Sequence, residues 1–264
     1  MVALAMGDLA PAADDSVDSE AFAEVALLPP IQRPPAIRDF MIFEGHVANS
    51  LRRWNRPVPE RWYVEPSFYF TNPSTLHPSG SMIQAPAFGV ELDYELELGV
   101  VIGRELVDAS PDEAASAIAG FTILNDFSLR DQQSAERPLG LGPSKSKDFA
   151  TGLGPVLVTP NDIPGTARRP DLRMEAYVNG ELWSQGESRT MHFDLGEVIA
   201  HASAGSRVVP GDIIGTGTVT TGCILELLSI AEDNRVRWLK PGDTVELRVD
   251  GIGTLRNTIA PRSQ

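Results

Sequence analysis

The chain of 264 residues has one cysteine, Cys223, so it contains no internal disulfide. That usage fits a reducing compartment, and Cys223 reads as a small buried residue rather than a nucleophile. Basic residues are scarce: 22 Lys and Arg stand against 36 Asp and Glu, for a formal charge of −14. A surface of that sign repels a phosphate backbone and argues against nucleic acid as a partner. No apolar run reaches the length needed to cross a bilayer. The opening MVALAMGDLAPAADDSVDSE lacks the basic start and apolar stretch of a signal peptide, so a cytoplasmic protein is expected. Also missing are an internal repeat, a dinucleotide-binding glycine fingerprint and a P-loop.

What is present is ordinary globular composition, with 42% hydrophobic and 22% charged residues. The 21 prolines and 23 glycines are spread along the chain, which favours many turns and short strands over a helical bundle. Residues 1–36 are rich in Ala, Pro, Asp and Glu and end in LLPPIQRPPA; they read as a flexible or extended leader. Residues 37–264 read as one catalytic domain. In DASPDEAASAIAG, Ser110 is a good N-cap, Pro111 suits the first helical position, and Gly120 is the expected stop. A second helix is expected from Asp194 over DLGEVIAHAS. Hairpins are expected at Asn179-Gly180 and Asp250-Gly251, and strands at ELELGVVIG and FTILND. The fold class is therefore α+β and β-rich, with few short helices.

Five segments carry chemistry. In LDYELELGVVIG, strand alternation places Asp93, Glu95 and Glu97 on one face. Carboxylates crowded beside a buried segment repel unless protonated or bound to a cation; oxygen ligands suit Mg²⁺, Mn²⁺ or Ca²⁺. The other reading is the solvent face of an edge strand. In ILNDFSLRDQQ, Asp126 ends an apolar strand and Arg130 and Gln133 follow; simple helix capping is the alternative. In SKSKDFATGLGPVLV, Lys147 can balance a carboxylate cluster, or be a solvated lysine. In IRDFMIFEGHVANS, Asp39 and His46 are seven apart, so a helix puts both on one face. His46 is a natural base near neutral pH, although a lone histidine is often structural. In GDIIGTGTVTTGCILEL, Thr218 lies in a Gly/Thr loop, and Glu226 is either outward on a strand or buried with a partner.

In this order, from about Ile37 to Thr258, the segments resemble the fumarylacetoacetate hydrolase superfamily. The E-x-E strand, N-D-x-S-x-R-D-x-Q, K-x-F-x-T, GDIIGTGT and PGD…GIGTLRN together carry the resemblance. It implies a mixed β-sandwich roll and a homodimer. It implies a divalent cation, Mg²⁺ first with Mn²⁺ or Ca²⁺ as alternatives, on Glu95, Glu97 and Asp126. Fumarylacetoacetase adds an aspartate seven residues before its catalytic histidine, a spacing matched by Asp39 and His46. Glu226 matches the glutamate that pairs with that histidine. Lys147, with Thr151 four later, matches the site lysine; Lys145 competes in a gap-free alignment. Arg130, Gln133, Thr151 and Thr218 match substrate-contacting positions.

The chain also departs from its relatives. The lid pattern H-x-x-E reads His46-Val-Ala-Asn49, and the lysine of an F-x-K-P-type strand is replaced in FYFTNP by Thr71 and Asn72. The leader is far too short for the SH3-like domain of fumarylacetoacetase, so a single-domain member is expected. The expected activity is metal-dependent hydrolysis of a C–C bond in a small 1,3-dicarbonyl or 2-oxo acid. The alternatives are a decarboxylase, isomerase or hydratase on the same scaffold, or a ligand-binding relative without turnover.

Overall fold

The computed structural model describes residues 27–52, 55–230 and 235–261. Most of the expected leader, 1–26, lies outside the described residues. The larger sheet has seven strands: β2 (Phe68–Thr71), β1 (Ile37–Phe40), β12 (Ile213–Gly215), β6 (Leu96–Ile102), β7 (Ile118–Asp126), β9 (Thr151–Leu153) and β3 (Leu76–His77), in that order. The smaller runs β11 (Glu181–Glu187), β10 (Arg173–Val178), β13 (Thr244–Val249), β14 (Gly253–Ile259) and β4 (Met82–Ile83). A two-stranded ribbon joins β5 (Leu92–Asp93) to β8 (Ser128–Leu129). β10 packs on β6, β13 and β14 on β7, and β14 on β9, so the two sheets lie face to face. The helices are short: α1 (Glu44–Arg52), α2 (Pro111–Ala115), α3 (Arg130–Glu136), α4 (Leu195–Ser203) and α5 (Ile224–Ile230). This is the β-rich α+β sandwich that the sequence indicates. Among the described residues no helix is long and apolar enough to cross a membrane.

Period-2 alternation decides what each face of the large sheet carries. On β6, Leu96, Leu98, Val100 and Ile102 enter the main core, while Val101 joins a second cluster with Ile37, Leu124, Leu153 and Ile213. Two residues along each strand from that second cluster come Asp39, Asp126, Thr151 and Gly215, and Glu97 and Gly99 share its parity. One face of the sheet therefore changes from aliphatic to carboxylate as it is followed towards one end.

Both expected hairpins form, β10–β11 and β13–β14. Asp194 caps α4 through a reciprocal capping box with Glu197. Two local expectations need correction. The helix capped by Ser110 stops at Ala115 rather than Gly120; Ile118–Asp126 instead pairs along the length of β6. Gly120 lies inside that strand because a Cβ there would sit 2.7 Å from the Val158 carbonyl oxygen, a close backbone approach. Likewise, Asp39 and His46 do not share a helix. Ile37–Phe40 is wholly buried as a strand between β2 and β12, and α1 begins only at Glu44.

Candidate functional site

The ladder brings the acidic residues together. Asp39 on β1 stands opposite Tyr69 of β2 and Gly215 of β12. Gly215 stands opposite Gly99 of β6, two residues beyond Glu97. One carboxylate oxygen from each of Asp39, Glu95 and Glu97 lies within 4.8 Å of the others, and all three residues are buried. Asp126, at the end of β7, adjoins this set through shared partners. The Tyr69 hydroxyl donates to Asp39 Oδ2 at 3.0 Å and also to Asp126 Oδ2. The Lys147 ammonium donates to Glu95 Oε2 and Asp126 Oδ2. Glu97 accepts from the Gly217 amide at 3.1 Å and from Thr218 Oγ1 at 3.3 Å.

Arg130, at the start of α3, is pinned from three sides. It donates to Asp93 Oδ2 at 2.8 Å, to Glu95 Oε1 at 2.7 Å and to Gln133 Oε1 at 3.0 Å. Asp93 and Glu95 thus meet on one guanidinium, although Asp93 is not among the mutually close acids Asp39, Glu95 and Glu97. The strand is interrupted after Asp93, and the Asp93 carboxylate also accepts from the Ile224 and Leu225 amides at 2.7 and 3.0 Å. It acts as an N-terminal cap for α5 supplied from far along the chain. Of the two competing lysines, Lys147 faces the carboxylates, whereas Lys145 is exposed and pairs with Asp148 at 2.8 Å. Thr151 is buried opposite Asp126, and its hydroxyl has no partner.

A second constellation lies where α1 meets α5. His46 Nδ1 is 2.7 Å from Glu226 Oε1, both groups buried. The other Glu226 oxygen accepts from Asn49 Nδ2 at 3.0 Å and from the Thr221 amide at 2.9 Å. Glu226 is thus buried with a partner, on a helix. Burial pushes its carboxyl up, but His46, Asn49 and Thr221 outweigh that and hold it below the ordinary glutamate value. Asn49, which stands where a lid glutamate is missing, serves here as a donor to Glu226.

The acidic cluster is electrostatically crowded. Burial raises the Glu95 carboxyl, but Lys147, Arg130 and His46 more than offset this and leave it ionised. Burial raises Asp39 despite Lys147. Burial and then the charges of Asp39, Glu95 and Asp126 push Glu97 well up. Asp126 is likewise pushed well up by burial, with Lys147 opposing. Four buried carboxylates with one ammonium and one shared guanidinium cannot all ionise at once. Asp39 Oδ1 and Asp126 Oδ1 are buried without a hydrogen-bond partner. An oxygen-only set with orphaned acceptors fits a hard divalent ion.

The sequence reading overlooked Tyr69, the residue that joins Asp39 to Asp126. Its one local signal was alternation in FYFTNP, which puts Tyr69 and Thr71 on one face.

Comparison with known proteins shows the family. The model of the fumarylacetoacetate hydrolase C-terminal family matches residues 36–260. A 2,4-didehydro-3-deoxy-L-rhamnonate hydrolase of Sphingomonas sp. (strain SKA58) is 31% identical over 83% of this chain and 70% of its own. An oxaloacetate tautomerase of Bacillus subtilis is 32% identical over 90% of this chain and 74% of its own. The crystal structure of a 5-carboxymethyl-2-hydroxymuconate delta-isomerase from Mycobacterium smegmatis superposes with a TM-score of 0.71 at 29% identity. It covers 92% of this chain and 84% of that one. With its acidic cluster and histidine–glutamate pair set on this two-sheet frame, the chain belongs to the fumarylacetoacetate hydrolase family.

Proposed function

We propose that the chain is a divalent-cation-dependent hydrolase that cleaves a C–C bond in a small 1,3-dicarbonyl or 2-oxo acid. The observation that carries this reading is the buried 2.7 Å contact between His46 and Glu226, close enough to the cluster for His46 to help hold Glu95 ionised. Asp39, Glu95 and Glu97, with Asp126 beside them, would hold the cation; Mg²⁺ is the first choice, with Mn²⁺ and Ca²⁺ as alternatives. When bound, it supplies Lewis acidity to the paired oxygens of such a substrate.

The chain's own groups supply the proton chemistry. Glu226 at Nδ1 orients the His46 ring, leaving Nε2 to take a proton from water. The resulting hydroxide adds to the distal carbonyl. As the C–C bond breaks, its electron pair stays on the carbon of the departing oxo acid, which receives the proton that His46 holds. Lys147 and Arg130 keep Glu95 ionised, and Arg130, Gln133, Thr151 and Thr218 are the groups at hand to orient the substrate. The assembly proposed is a homodimer in the cytoplasm, with the first part checked by light scattering at micromolar concentration.

The deciding experiment is a panel of acylpyruvates, oxaloacetate and β-diketones assayed with Mg²⁺ or Mn²⁺. Hydrolysis lost in His46→Ala supports the proposal. Tautomerisation or decarboxylation that survives in His46→Ala, with no hydrolysis in the parent, favours the second reading, suggested by the tautomerase relative. Binding without turnover would make the chain a ligand-binding relative.

A further inference from the structure

Tyr69 stands on β2, the edge strand of the large sheet, yet its hydroxyl reaches acids from two other strands. It donates to Asp39 Oδ2 at 3.0 Å and to Asp126 Oδ2, which share its one proton. Asp39 comes from β1, next to β2, whereas Asp126 ends β7, the fourth strand along from β2. In a flat sheet those two strands would stand roughly 19 Å apart, so it is the curl of the sheet that lets one phenol join them. Lys147 Nζ lies 5.5 Å from the centre of the Tyr69 ring, a cation–π distance that steadies the ring from the other side.

The carboxylate oxygens of the cluster are not equally available. Glu95 Oε1 accepts from Arg130 at 2.7 Å and Oε2 from Lys147. Glu97 Oε2 accepts from the Gly217 amide at 3.1 Å and Oε1 from Thr218 at 3.3 Å. Asp126 Oδ2 accepts from both Lys147 and Tyr69. Asp39 Oδ2 accepts from Tyr69, its only donor among the described residues. Asp39 Oδ1 and Asp126 Oδ1 are left over, both buried and without a partner. The hydroxyl of Tyr69 therefore takes, from each aspartate, the oxygen next to the orphaned one.

We propose that Tyr69 is a positioning residue that sets which cation the acids accept: by holding Oδ2 of Asp39 and of Asp126 it confines each aspartate to one free oxygen and favours a small six-coordinate ion, Mg²⁺, over Ca²⁺. The inference rests on the reading of the acidic cluster as a cation site. Mg²⁺ demands near-ideal octahedral geometry at about 2.0–2.1 Å, whereas Ca²⁺ takes about six to eight oxygens at about 2.3–2.6 Å and readily draws both oxygens of one carboxylate. A bidentate Asp39 would have to turn Oδ2 away from Tyr69. A bidentate Asp126 would have to leave both Tyr69 and Lys147. The larger ion gains its extra ligands only by breaking the bonds of the hydroxyl, and the smaller ion leaves them intact. Groups that hydrogen-bond to metal ligands orient them and tune the site in this way.

The test is competition for Mn²⁺, followed by the electron paramagnetic resonance of the free ion, in the parent and in Tyr69→Phe, which removes only the hydroxyl. Mg²⁺ and Ca²⁺ are each titrated against bound Mn²⁺, so both proteins stay loaded and the folding of a stripped variant does not enter. Loss of a group that orients metal ligands costs about 10–100-fold in affinity. That loss should fall on Mg²⁺ and spare Ca²⁺, so the ratio of the two half-displacing concentrations should move at least about tenfold in favour of Ca²⁺. A merely structural hydroxyl would weaken both ions alike. An unchanged ratio, whether both affinities fall or neither does, or a shift towards Mg²⁺ overturns this inference and leaves the proposed function standing. A parent protein that binds none of the three ions overturns both.

Discussion

Gly215 and Asp39 face each other in the β1–β12 ladder, and a Cβ on Gly215 would lie 2.3 Å from Asp39 Oδ1. It would also lie 3.2 Å from Glu97 Oε2. The missing side chain is the space that lets two carboxylates from different strands converge. Gly215→Ala should therefore leave a folded protein with displaced acids. Overpacking of this kind costs about 1–3 kcal/mol, and affinity for the cation should fall as well. Thermal melts with and without Mg²⁺ check both halves; an unaltered response to Mg²⁺ would show that the close contact is not needed.

Cation binding itself should be visible as stability. An ion that binds only the folded chain raises stability by about 2.7 kcal/mol at one hundred times its dissociation constant. The Tm of chelator-stripped protein should accordingly rise on titration with Mg²⁺ or Mn²⁺. Glu95→Ala should abolish that rise. A parent protein whose melting is indifferent to every divalent ion tried would count against the site.

The histidine pair should behave differently. His46→Ala and Glu226→Gln should each lower turnover by roughly two to four powers of ten, the usual range for general-base catalysis. The Mg²⁺-dependent rise in Tm should persist in both variants, because neither residue belongs to the mutually close acids Asp39, Glu95 and Glu97. Steady-state kinetics and melting curves on the same preparations separate the two roles.

Glu136 gives a pH signature outside the acidic cluster. Its carboxylate accepts from the Ser144 amide (2.9 Å), the Ser146 hydroxyl (2.6 Å) and Gln132 (3.1 Å), and so holds the loop that carries Lys147. Burial pushes this carboxyl up, but those donors outweigh it and bring it from 4.5 to about 2. A lowered folded-state value means the contribution is complete above the unfolded value of 4.5 and fades as pH falls towards 2. Glu136→Gln should cost up to about 3.5 kcal/mol at pH 7, at roughly 1.4 kcal/mol per unit, and progressively less below pH 4.5. Urea midpoints measured from pH 7 to pH 3.5 report this; a gap between variant and parent that stays constant with pH would rule the account out.

Much of the site was legible because it follows strand parity. Glu95 and Glu97 alternate with Leu96 and Leu98, and the core takes the leucines. Asp126 follows Leu124 in the same way. Parity did not tell that Asp93 serves Arg130 and α5 rather than the acidic set, since nothing local in LDYELEL marks the break in the strand. The break answers to Arg130 and the α5 amides, which are more than thirty and one hundred and thirty residues away. Tyr69 was missed because its role depends on the β1–β2 register, which only the folded sheet displays. Glu226 could be placed on neither strand nor helix, for α5 is short and its partner His46 is 180 residues distant. The resemblance to the family supplied that pair where local physics could not.

The parallel pairing of β1 with β12 has a consequence for how the molecule comes into being. Arg38 and Asp212, joined at 2.7 Å beside that ladder, are 174 residues apart. Asp39 can therefore take its place among the other acids only after almost the whole chain has left the ribosome. Until then β1 lacks its inner neighbour, and the edge of β6 that β12 covers is unpaired. Contacts of such long range are the slow ones in folding, and an unpaired sheet edge invites association between incomplete chains. Chains released before residue 213 should accumulate as aggregates rather than as soluble fragments with partial cation affinity.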